Sequence, residues 1–255
     1  MGKIQKKELV EYLNSYLRIA EIRDSSLNGL VVDNEKEEIE KIGVAVDGSL
    51  DAISEAKDKK VDFLIVHHGF YWGRPLYIDL WLKRRLKALF DSDMALYAAH
   101  LPLDIHPEVG NNYGALRILG FEAIEPFGDY HGIPIGVKFR VKGGIKSMNE
   151  LIEYISEKLF SPKDVWNFGK SEVDYGVYCS GGCLSLLDQV KRAGIDLFIT
   201  GETSHAYYNS AREMECNVIL LGHYRSETVG VKLLGRHLGE KFGLDYVFVG
   251  EDTGL

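Results

Sequence analysis

The chain has 255 residues and a formal net charge of −8, with 45% hydrophobic and 27% charged residues. That balance excludes a disordered polymer and a generally basic, nucleic-acid-coating surface, although net charge is silent about local patches. The length admits one large α/β domain, or one carrying a smaller insert, with a substantial core.

The N-terminal MGKIQKKELVEYLNSYL is a charged amphipathic pattern with Leu9, Leu13 and Leu17 on one face. It lacks the uninterrupted apolar core of a signal peptide, and Lys6 stands where a myristoylation motif needs Ser or Thr. No stretch reaches the apolar length that spans a bilayer, so the expectation is a cytoplasmic protein with no membrane partner. Cys179, Cys183 and Cys216 form no C-x-x-C pair and are too few for a disulfide framework; reduced, packed thiols are expected.

Six apolar runs succeed one another along the chain: 42–46, 61–66, 94–99, 195–200, 217–221 and 245–249. They are rich in Val, Ile and Leu with little polar alternation, as strands buried on both faces require. Between them, helices are expected near 50–59, 79–91, 111–119, 204–214 and 227–241. This order predicts an α/β fold with a mostly parallel sheet. Residues 127–186 change character and read as a smaller α+β region inserted between 1–126 and 187–255, which would form the main domain.

The residues immediately after each run carry the chemistry. The run 61–66 ends in His67 and His68; 94–99 ends in His100, with Asp104 four residues on. The run 195–200 is succeeded by Glu202, and 217–221 by His223, with Glu227 four residues on. Asp47 ends the first run and is placed either at the site or as the cap of the next helix. In open parallel sheets ligands bind beyond the carboxyl ends of the strands, because loops converge there. Imidazole and carboxylate together suit Zn, Fe, Mn or Ni, whereas Mg and Ca favour oxygen alone. Taken singly, each motif has a plain structural reading: a solvent-exposed His-His pair, or a Glu favoured by the dipole of a first helical turn. Coinciding at one sheet edge, they point to two divalent ions, with Glu227 as the natural bridge.

In order, DSSLNGL (24–30), IVHHGFYWG (65–73), YAAHLPLDIHPEVGNN (97–112), CSGG (179–182), DLFITGETS (196–204) and the stretch 210–234 resemble the Nif-three-like dinuclear metal-centre family. Its members are often called GTP cyclohydrolase I type 2 homologues. The resemblance implies a two-lobed α/β fold assembled as a toroidal homo-hexamer, a trimer of dimers. It implies two divalent metal ions per chain held by His67, His68, Asp104, His223 and Glu227, with His100 and Glu202 lining the same cleft. One departure is Cys183, which comes after CSGG where some relatives have Gly. His205 has no assigned role, and His106, His131 and His237 read as structural or exposed.

The expected activity is metal-assisted hydrolysis of a small-molecule substrate such as a nucleotide, with His100 or Glu202 moving the proton. Chemistry like that of GTP cyclohydrolase would send water to the purine C8; phosphoester hydrolysis would use the same ions. The alternative is a metal-handling protein without catalysis, or a hexameric ring binding single-stranded nucleic acid. Lys83, Arg84, Arg85 and Lys87 would form the local basic patch of such a ring, although such a cluster on one helix is usually a solvated face.

Overall fold

The computed structural model describes residues 2–74 and 76–255. Its strands and helices form two compact units: Met1–Gly110 with Gly230–Glu251, and Asn111–Val229 with Asp252–Leu255.

The first unit is built on a five-stranded sheet ordered Asp245–Phe248, Lys41–Asp47, Phe63–His68, Ala95–Ala98 and Gly29–Val32. The first four strands are parallel, and Gly29–Val32 closes the edge antiparallel to Ala95–Ala98. Val44, Ala45, Leu64, Ile65, Leu96 and Tyr97 are all fully buried, which explains why these strands read as continuous apolar runs. Helices Leu50–Asp58 and Leu80–Asp91 start on side-chain caps, Ser49 and Asp79. Asp47 is therefore not the cap of the helix after it. Leu9 and Leu13 bury the predicted face of helix Lys6–Tyr16, and Leu17, its C-cap, is buried too.

The second unit carries a six-stranded mixed sheet ordered Glu122–Tyr130, Ile133–Arg140, Tyr175–Cys179, Leu197–Thr200, Asn217–Leu220 and Asp164–Trp166. The three strands from Tyr175 to Leu220 are parallel; Ile133–Arg140 and Asp164–Trp166 flank them antiparallel, and Glu122–Tyr130 pairs antiparallel with Ile133–Arg140 at the outer edge. Its core gathers Phe121, Val137, Phe139, Leu151, Ile155, Tyr178, Ile199 and Ile219.

The expected boundary between a main domain and an insert at 127–186 needs correction. The runs at 195–200 and 217–221, expected in the first sheet, pair instead with Tyr175–Cys179 and its neighbours. A strand buried on both faces has the same apolar signature whichever sheet it joins, so periodicity cannot report sheet membership. The expectation of three reduced cysteines also fails. Cys179 and Cys183 are joined in a disulfide, and only Cys216 is a free, buried thiol. The chain reverses through Ser180–Gly181–Gly182 and brings the two Cα atoms to 6.1 Å, so no wider framework is needed.

Candidate metal centre

The first unit assembles one group of ligands at its strand ends. His67 and His68 are the last two residues of strand Phe63–His68, their ring centroids 4.7 Å apart. His100 lies just beyond strand Ala95–Ala98, and its ring is 5.1 Å from that of His67. The short helix Leu101–Asp104 then returns Asp104, whose Oδ2 is 3.5 Å from His67 Nε2. One ring nitrogen from each of His67, His68 and His100 lies within 4.8 Å of the others, a spacing that one metal ion can span.

Each of these rings is held through Nδ1. His67 donates to the Ala99 carbonyl at 2.9 Å, His68 to Asp47 at 2.8 Å and His100 to Asp24 at 3.1 Å. Asp47 and His68 are register partners on adjacent parallel strands, so the pairing arises from the sheet itself. Such bonds fix ring orientation and tautomer and present Nε2, as the outer partners of metal-binding histidines do. Burial pushes the Asp24 carboxyl up, but bonding and charge from His100, with Asn28 and the Ser26 N–H, outweigh it and bring it down to about 2. Trp72 stands over the same group, edge-on to His100 at 4.9 Å between centroids, and is partly exposed.

The second unit assembles another. The helix expected over 227–241 runs from His223 to Phe242, so its first turn sets His223 and Glu227 one above the other. His223 Nε2 lies 3.1 Å from Glu227 Oε1, and its Nδ1 donates to Glu202 Oε1 at 2.8 Å. Glu202 thus acts on His223 as Asp47 acts on His68. Burial alone would lower His223, but the carboxylates of Glu227 and Glu202 prevail and raise it to about 9.

The CSGG loop backs this group. Gly181 has φ +64°, and a Cβ there would stand 2.5 Å from Glu227 Oε1 and 3.3 Å from His223 Nε2. Its carbonyl accepts from the Gly201 and Glu202 N–H groups and from Thr200 Oγ1, tying the loop to the strand end that carries Glu202. Only glycine fits this cradle.

Two outer partners escaped sequence reasoning. Asp24 lies 76 residues before His100, and Trp72 within IVHHGFYWG; both stood inside motifs, without a role. Other expectations sort simply. His106 is buried, bonded to the Tyr16 carbonyl and to the N–H groups of Glu108 and Val109, so it is structural. His131 sits in a hairpin turn at φ +55°, and His237 stacks on Tyr16. His205 is exposed. In the basic cluster Arg85 packs over Trp81, while Lys83, Arg84 and Lys87 are exposed, Lys87 pairing with Asp91 at the surface.

The donor chemistry fits divalent ions of the Zn, Fe, Mn or Ni type: four imidazoles, each with Nδ1 committed to an acceptor, together with Asp104 and Glu227. Among the described residues no helix is long and apolar enough to cross a membrane. The family pattern of Duf34/NIF3 (NGG1p interacting factor 3) matches residues 4–253. A Pyrococcus abyssi protein named GTP cyclohydrolase 1 type 2 homolog is 43% identical, over 99% of this chain and 100% of its own. TTHA1606 from Thermus thermophilus is similar in structure, with a TM-score of 0.87 and 40% identity over 99% of this chain and 100% of that one. Reduced HcgD from Methanocaldococcus jannaschii gives a TM-score of 0.83 at 25% identity, covering 98% and 99%. Matched along nearly its whole length, the chain belongs to the Duf34/NIF3 family.

Proposed function

We propose that the protein is a dinuclear metal-dependent hydrolase of the cytoplasm, acting on a small molecule of the nucleotide class and working as a homo-hexamer. The ligands in this reading are His67, His68, Asp104, His223 and Glu227, with Glu227 shared by both ions. The observation that carries the reading is the common treatment of the histidines: every one has Nδ1 on a carboxylate or carbonyl, which is what metal ligation through Nε2 needs. The name GTP cyclohydrolase 1 type 2 homolog on relatives supports the nucleotide class.

Divalent ions bound there would lower the pKa of water and polarise the bond to be cleaved. The residues do the rest. Asp47 and Glu202 orient His68 and His223, and Gly181 keeps space beside Glu227. His100 accepts or returns a proton at Nε2, its Nδ1 being engaged. Glu202, expected to share that task, is better placed to orient His223. Trp72 offers a planar face beside His100 for a heterocycle.

The test is to load the protein with Zn, Mn, Fe or Ni and assay GTP and a panel of phosphoesters, with the His223→Ala variant as blank. Turnover abolished by chelation and by the variant is expected. Turnover indifferent to both would refute the hydrolase reading.

A further inference from the structure

The segment DSSLNGL has no part in the ligand set, yet it grips His100 at two levels. Asn28 Oδ1 accepts the His100 backbone N–H at 2.8 Å, fixing where the residue sits. Asp24 Oδ1 accepts from Ser26 N, and its Oδ2 accepts from Asn28 Nδ2 and Leu101 N, each at 3.0 Å. His100 Nδ1 lies 3.1 Å from both oxygens. The Asp24 side chain is 2% exposed, so water supplies nothing here and every neighbour of the carboxylate is a donor.

This pattern restricts the chemistry at position 24. A carboxylate accepts only, so Nδ1 of His100 must carry a ring proton, and in the neutral ring Nε2 is then bare. An amide would not serve equally. Either orientation of Asn would turn its NH2 toward a backbone N–H, that of Ser26 or of Leu101, and would let the amide donate to Nδ1 instead. The Leu101 bond adds a second consequence, because it ties down the first residue of the helix that ends in Asp104.

We infer that Asp24 is the positioning residue of His100, holding the ring as the Nδ1–H tautomer with Nε2 presented to His67 and His68, while Asn28 sets only its backbone. The inference rests on the reading that His100 works at this site, but the tautomer is measurable whether or not any metal or substrate binds.

The experiment is long-range proton–nitrogen NMR of the histidine rings in the full-length, nitrogen-labelled protein, metal-free and zinc-loaded, near pH 8, where ordinary imidazoles are neutral. His100→Gln assigns the His100 signals. In the wild type, Nδ1 should resonate as protonated and Nε2 as unprotonated. In Asp24→Asn the Nε2 resonance should shift toward the protonated position, and in Asn28→Ala it should stay as in the wild type. An Nε2–H tautomer in the wild-type metal-free protein would overturn the inference without any variant. So would an Asp24→Asn protein, folded by its thermal melt, whose His100 tautomer is unchanged. Absent zinc binding with the expected tautomer would sink the metal reading and leave the positioning role standing.

Discussion

The two groups of ligands are prepared in different ways. In the first unit the histidines sit at the ends of parallel strands, and their acceptors are a backbone carbonyl and carboxylates fixed by neighbouring strands or loops. His67 is fully buried and holds its geometry through the sheet. In the second unit a single imidazole stands between two carboxylates, on a helical first turn and an exposed loop. The first group resembles a preformed mould. The second is an ion cluster in which a proton on His223 stands in for a cation, and a metal must displace it.

That contrast predicts a hierarchy of effects. The largest comes from Glu227→Ala, which removes the proposed bridge and should weaken binding of both ions by about a hundredfold or more, read by isothermal calorimetry with Zn. Loss of only one ion would deny Glu227 its shared role.

Next is a pH effect confined to the second group. His223 is raised from 6.5 to about 9 in the metal-free protein. Its protonated form adds stability that is fully present below 6.5 and lost as pH rises through about 9. Metal binding at neutral pH should therefore release about one proton, with affinity rising roughly tenfold per pH unit up to about 9. Calorimetry in buffers of different ionisation enthalpy counts the proton, and Glu202→Gln should flatten the slope. A pH-independent affinity between 7 and 9 would contradict the proton-clamped picture.

Gly181→Ala should lower affinity by about tenfold and stability by about 1–2 kcal/mol, because the new Cβ meets Glu227 at a left-handed backbone position. Thermal melts with and without Zn separate the two losses. The smallest effect belongs to Asp47→Asn. Asp47 is half-exposed and the strand already directs His68, so a few-fold loss of affinity is expected.

Much of this was legible in the sequence, and for physical reasons. The six apolar runs became strands, and all but the partly exposed edge strand Asp245–Phe248 are deeply buried, as such uniform Val, Ile and Leu composition requires. The ligand candidates were visible because polar residues directly after such runs have no packing role. Pairings between distant residues were not legible. Asp24 meets His100, and Asp47 meets His68, through the sheet and loops, which no local spacing encodes. Sheet membership failed for the same reason, since runs 195–200 and 217–221 carry no mark of their neighbours. The disulfide was missed because a four-residue separation matches no common pattern, and the turn at Gly181 is what closes it. The start of the last helix was placed four residues late, at Glu227 instead of His223, because its first turn carries function in place of apolar periodicity.

The central claim is the proposed one, that His67, His68, Asp104, His223 and Glu227 hold two ions. The direct measurement is metal content of the purified, zinc-reconstituted protein by elemental analysis, beside a His67→Ala/Glu227→Ala double variant. The account predicts about two ions per chain in the wild type and loss of most of them in the variant. Two ions retained by the variant would contradict it.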